Sequence, residues 1–201
     1  MIHYLIEFRF HGKAKFEIKK LIFEINNRFR LVHKREVPHI TLAGPFYTND
    51  ERRLINDFNR LCFNSHLMSF KIDDFSTFKD KGVIFLDVKP GIELDEFRWT
   101  LSQELRSYCQ LSQFDYERTF SFHTTIALKL PEYLFNAISD FIKTKPKLNF
   151  RHFMVRATLL KGGIILREYD FLLRKSLTRT LARDKAIYSQ TINLLKEIID
   201  H

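Results

Sequence analysis

Apolar and polar residues alternate from His3 to Phe10 (HYLIEFRF), a period of two that predicts a strand. The period then changes. Phe16, Ile18, Leu21, Ile22, Ile25 and Phe29 recur at near-helical spacing, so residues 14–31 are predicted to form an amphipathic helix. Pro38 bars a helix, and HITLAGPF behind it reads as a strand ending at Gly44-Pro45. A second helix is expected over 49–65, capped by Asp50 or Asn49. Residues 68–90 read as a hairpin turning at KDKG, and a third helix over 93–111 opens with acidic residues, as the helix dipole prefers. SFHTTIALKLP (121–131) is a strand stopped by Pro131, a residue suited to the first turn of the helix that follows. Residues 149–173 read as two strands joined at Gly162-Gly163. The chain closes on a helix with Ile187, Ile192, Leu195 and Ile199 turned inward.

Helices and strands alternate, but hairpins interrupt them, which predicts an α+β protein with antiparallel or mixed sheets. The length, 201 residues, suits one domain or two closely packed lobes. Composition adds little: 45% hydrophobic and 28% charged residues are ordinary for a globular chain. Charge adds more, because a net +9 favours partners that carry phosphate. Cys62 and Cys109 stand far apart with no CxxC, so neither a disulfide framework nor a zinc signature is present. The N-terminal MIHYLIEFRFHGK lacks the pattern of a secretory signal and no run is long enough to cross a membrane; a cytoplasmic protein is expected. There is no GxGxxG, GxxxxGK[ST] or HExxH.

The chemistry enters through an internal echo. HITLAGPF begins at His39 and HTTIALKL at His123, a little under half the chain later, each in a strand between helices. Side chains two apart on a strand share a face. His39 and Thr41 therefore point together, backed by Ile40 and Leu42. His123 and Thr125 do the same, with Lys129 expected further along their face. The remaining histidines, His33 and His201 among them, have no such partner. No carboxylate or cysteine stands at ligand spacing around either motif, so no metal is expected. Two similar lobes would bring the two His-Thr pairs together across a groove.

PHITLAGPF and FHTTIALKL, in that order, resemble the paired motifs of the two-histidine phosphoesterases, in the branch that includes the 2′-5′ RNA ligases. FMVRATLLKGGIILREYDFLL is similar to that family's closing pair of strands. The resemblance covers roughly residues 1–175. It implies two similar lobes of antiparallel sheet, flanked by helices, around a central cleft. A two-lobed domain is expected over 1–176, with a basic helical extension over 177–201 carrying Arg179, Arg183 and Lys185. One departure stands out: Leu128 occupies a position where the family often has arginine, and Lys129 is the nearest base.

The implied activity is metal-independent and cofactor-independent opening of a 2′,3′-cyclic phosphate at an RNA end or on a nucleotide, with 2′-5′ ligation as the reverse reaction. Two histidines suit an acid and a base because each imidazole has an ordinary pKa near 6.5; His39 is assigned as the acid and His123 as the base, with the reverse assignment left open. Thr41 and Thr125 would bond the non-bridging phosphate oxygens. Lys129 and Lys161 are expected to add positive charge, and Tyr169 and Phe46 to stack on a base or touch the phosphate. Two other readings stay open: an RNA-binding module without catalysis, and a phosphodiesterase for a small cyclic or 2′-5′ nucleotide. The oligomeric state is left open.

Overall fold

The computed structural model describes residues 2–31 and 37–200, so His33 and His201 lie outside the described residues. The alternating N-terminal segment forms strand β1 (Tyr4–Arg9), followed by helix α1 (Gly12–Phe29), strand β2 (His39–Phe46) and helix α2 (Glu51–Phe63). The hairpin β3 (Met68–Phe78) and β4 (Val83–Pro90) follows, then α3 (Ile92–Leu105), β5 (His123–Ala127) and α4 (Glu132–Lys143). The C-terminal part contains β6 (Asn149–Met154), β7 (Arg156–Lys161), β8 (Ile164–Asp170), β9 (Lys175–Leu177), α5 (Arg179–Ala182) and α6 (Lys185–Asp200).

The strands form two sheets in which every pairing is antiparallel. One has the order β2-β1-β7-β8-β9, the other β5-β4-β3-β6. The protein is thus α+β, as expected. Its core is built on Ile6, Phe8, Ile40 and Leu42 of the first sheet and Ile72, Ile84 and Leu86 of the second, all essentially solvent-free. In α1 the buried stripe is Ala14, Ile18, Leu21 and Ile25, at offsets of four, three and four. Phe16 falls outside that stripe and is 64% exposed, correcting its place on the predicted inner face. Asp50 caps α2, accepting a bond from the Arg53 amide at 2.9 Å.

The C-terminal region departs most from its sequence pattern. Residues 149–173 contain three strands, not two: β6 ends the second sheet and β7 enters the first immediately afterwards. No glycine or proline marks that crossing, so hydrophobic patterning alone runs the strands together. The boundary expected after residue 176 falls inside β9, and the part added beyond the sheet is α5 and α6. On α6 the buried positions are Thr191 and Leu195, while Ile199 is 57% exposed. No helix among the described residues is long and apolar enough to cross a membrane.

Candidate active site

The two His-Thr strands occupy equivalent places. β1 and β2 are antiparallel neighbours joined through α1, and β4 and β5 are antiparallel neighbours joined through α3. Each motif strand is the outer strand of its sheet, and β2 and β5 touch. Strand alternation then sets the faces. Ile40, Leu42, Thr124 and Ile126 are buried, while His39, Thr41, His123 and Thr125 are half-buried on the other side.

The imidazoles are held alike. Nδ1 of His39 bonds the Val37 carbonyl at 2.9 Å, and Nδ1 of His123 bonds the Ser121 carbonyl at 2.8 Å, each two residues back. A carbonyl only accepts, so the proton sits on Nδ1 and the neutral ring presents a bare Nε2. Their surroundings differ. Nε2 of His39 lies 3.7 Å from Oε2 of Glu7. His123 is packed against Phe78 and Phe85, with ring centroids at 5.6 and 5.1 Å. Burial lowers the His123 pKa from its ordinary value, the Ser121 carbonyl works against this, and the charge of His39 lowers it further. The two imidazoles sit on strands that touch.

Beside them opens a cavity of about 500 Å³ lined by Thr41 and Gly44 of β2, His123 and Thr125 of β5, Phe78, Lys81 and the 112–121 loop. Two buried charges build that loop. Arg98 is fully buried and donates to the carbonyls of Glu117 at 2.8 Å and Phe114 at 3.0 Å, with its guanidinium 3.9 Å above the Phe120 ring. Asp115 lies 3.5 Å from Arg98 and accepts bonds from Ser112 Oγ at 2.8 Å and the Gly44 amide at 3.3 Å. The pair thus ties the loop to the first motif. Gly44 has φ +110°, and a Cβ there would sit 3.0 Å from the Tyr4 carbonyl oxygen, so glycine is required.

Thr41, His123 and Thr125 line one cavity, with His39 two residues from Thr41 on the same face of β2; the other expected site residues lie elsewhere. Ala127 opposes Ile84 while Thr125 opposes Phe85, so β5 carries an extra residue at this step. The alternation slips there. Leu128 lines the cavity, and Lys129, in left-handed backbone at φ +55°, faces a separate hollow. Lys161 pairs with Glu51 at 2.5 Å and opposes Tyr4, at the far end of β1 from Arg9, the partner of His39. Tyr169 is 2% exposed and packs edge-on against Phe171. Phe46 is fully buried and stacked on Tyr4.

The sequence reading missed Lys81. Its ammonium lies over the rings of Phe78 and Phe114, at 5.6 and 4.7 Å, in the wall that also holds His123, Thr125 and Leu128. Gly82 holds the turn in place: φ is +57°, its carbonyl accepts from the Leu130 amide at 3.0 Å, and an added Cβ would approach the Leu130 carbonyl oxygen to 2.3 Å. The KDKG turn is thereby stapled to the chain just after β5, where a cation is missing at Leu128. No pattern within the turn itself announces this, because the contact is long-range.

Two facing edge strands with matched His-x-Thr motifs define the class of site, and the comparisons with known proteins agree with it. The family model described as the 2′-5′ RNA ligase superfamily matches residues 15–157, and the chain belongs to that superfamily. Among solved structures, E. coli LigT complexed with ATP superposes with a TM-score of 0.52 at 15% identity, over 87% of this chain and 91% of that one. LigT complexed with 3′-AMP gives 0.50 at 15% identity, over 88% and 92%. Kluyveromyces marxianus Usb1 gives 0.43 at 11% identity, over 88% and 97%. At these identities the likeness to LigT is one of fold. No curated protein matches the sequence.

Proposed function

We propose that this protein is a phosphodiesterase that opens 2′,3′-cyclic phosphates at RNA ends by general acid–base catalysis, with 2′-5′ ligation as the reverse reaction. The observation that carries the reading is the matched pair of imidazoles, each pinned through Nδ1 and each leaving Nε2 for substrate. The surroundings support a division of roles. His123, desolvated against two phenyl rings, is kept neutral and takes a proton from the attacking water. His39, with the Glu7 carboxylate 3.7 Å away and shared with Arg9, gives its Nε2 proton to the departing ribose oxygen. One P–O bond forms to water, one breaks to the ribose, and the proton count balances across the two rings. Thr41 and Thr125 donate hydroxyl bonds to the non-bridging oxygens, and Lys81 supplies the positive charge that Leu128 does not. The aromatic wall of Phe78, Phe114 and Phe120 suits the terminal base.

That LigT has been solved with 3′-AMP and with ATP supports a nucleotide in this cavity. The test is turnover of 2′,3′-cyclic mononucleotides, cyclic-phosphate-ended RNA and 2′-5′ oligoadenylate with chelator present. Opening of the cyclic phosphates, lost in His123→Ala, is expected. Cleavage of 2′-5′ oligoadenylate alone would move the protein to the small-nucleotide class. No turnover, with tight RNA binding, would leave a recognition module.

A further inference from the structure

A second cavity opens on the sheet that carries His39. In the ladder His39 opposes Arg9, and Arg9 lines a groove of about 290 Å³ between the first sheet and the C-terminal α5–α6 segment. The two cavities share one face of that sheet. Thr41, in the wall of the catalytic cavity, opposes Glu7; Glu7 opposes Thr158; Thr158 opposes Glu168. Directly opposed residues point to the same side of a sheet, and Thr158 and Glu168 line the groove. A ligand that passes His39 therefore runs into this groove without crossing the sheet.

The groove is strongly basic. Arg9, Lys15, Arg156, Arg183 and Lys185 line it, against Glu168 and Asp184. The two acids are engaged. Glu168 accepts from Arg156 at 3.0 Å and Thr158 at 2.8 Å, and Asp184 accepts from the amides of Ala186 at 2.7 Å and Ile187 at 3.1 Å. Among the described residues Lys15, Arg183 and Lys185 make no ion pair. The Lys15 pKa is lowered by burial and by the charges of Lys19 and Arg9, so like charges are crowded here, with Arg9 itself paired to Glu7 at 2.5 Å. The outer wall is fixed to the sheet from beneath: Arg156 donates to Asp170 at 2.7 Å and to Thr191 of α6 at 2.8 Å. By contrast Arg174, another base of the C-terminal region, bonds the Ser65 and Phe63 carbonyls at the end of α2.

A 2′,3′-cyclic phosphate ends its strand, so the rest of an RNA substrate leaves only toward its 5′ side. With the terminal nucleoside in the aromatic cavity and its phosphate at the imidazoles, the sheet face that runs from Thr41 to Thr158 and Glu168 offers the preceding phosphates a continuous path into the groove. We propose that the groove under α5–α6 is a backbone subsite that binds the phosphates of single-stranded RNA on the 5′ side of the cyclic end. This rests on the function proposed above, but it makes the substrate a polymer and gives the C-terminal segment, beyond the superfamily match, a role of its own.

The test is the triple variant Lys15→Gln, Arg183→Gln, Lys185→Gln, which leaves Arg9 and Arg156 in place. Its binding to a fluorescein-labelled hexauridylate ending in a 3′-phosphate is followed by anisotropy across a salt series. Three lost phosphate contacts should flatten the log–log salt slope by about two and weaken binding by tenfold or more at low salt. Turnover of 2′,3′-cyclic UMP should be unchanged, and a thermal melt should match the parent. An unchanged salt slope overturns the subsite, as does an equal loss on hexamer and mononucleotide. If the parent protein turns over no cyclic phosphate, the proposed function fails, and the hexamer binding series still decides the groove.

Discussion

Across the strand ladder, Thr41 faces a carboxylate and Thr125 faces a phenyl ring: Glu7 in the first lobe, Phe85 in the second. One register step further, His39 opposes Arg9 and His123 opposes Asp87. The two half-sites share their motif residues, their Nδ1 tethers and their strand placement, yet the residues opposite them differ in charge and polarity. A single symmetric pair would titrate as two equal groups, and neither would prefer to hold the proton. In the proposed mechanism, breaking the symmetry in the neighbouring strand is what would divide acid from base while leaving the motifs themselves alike.

The largest expected effect comes from removing either ring. His39→Ala and His123→Ala should each lower turnover of a cyclic phosphate by about 10²–10⁴, the usual contribution of a positioned acid or base. The double variant should lose far less than the product of the two, because the rings act as a unit. Steady-state kinetics on all three variants decides it; multiplicative losses would mean that the two halves work independently.

Next comes the cation. Lys81→Met should cost roughly tenfold to a hundredfold in kcat/KM, below the loss of a fully enclosed oxyanion donor because Lys81 is exposed. Adding Leu128→Arg to that variant should restore part of the rate, since Leu128 lines the same cavity. Rescue by Leu128→Arg, with none from Lys129→Arg, would fix the source of charge in the second half-site. A smaller loss is expected at the aromatic wall: Phe114, 46% exposed, should contribute about 1–3 kcal/mol through base stacking. Phe114→Ala should accordingly raise KM for cyclic nucleotides and leave kcat nearly intact.

The shared half of this site was legible in the sequence and the unshared half was not. His39, Thr41, His123 and Thr125 follow from a period of two, which is local and survives any packing. Lys129 was placed by carrying the same alternation two residues too far; pairing with β4 inserts the extra residue that ends it. Lys81 and the Arg98–Asp115 pair were invisible because their positions depend on contacts distant in the chain. Lys161, Tyr169 and Phe46 have suitable chemistry, but strand position sends them to an ion pair and to the core. The fold class was readable from alternating elements, while the change of sheet between β6 and β7 carries no local signal.

The smallest effect tests the asymmetry most directly. Burial disfavours the imidazolium and lowers the His123 pKa, so a general base at this position would stay deprotonated below the ordinary imidazole range. Phe78 supplies part of that burial from the cavity side. Phe78→Ala admits water, so the pKa of His123 should rise and the acid limb of the kcat/KM profile should move to higher pH. Rate is then lost near pH 6 and kept near pH 8. The limb reports the free enzyme, so a change in substrate affinity scales the profile without shifting it. A limb that moves to lower pH, or stays fixed while NMR titration of the His123 ring shows the pKa rising, would take the role of base away from His123 and give it to His39.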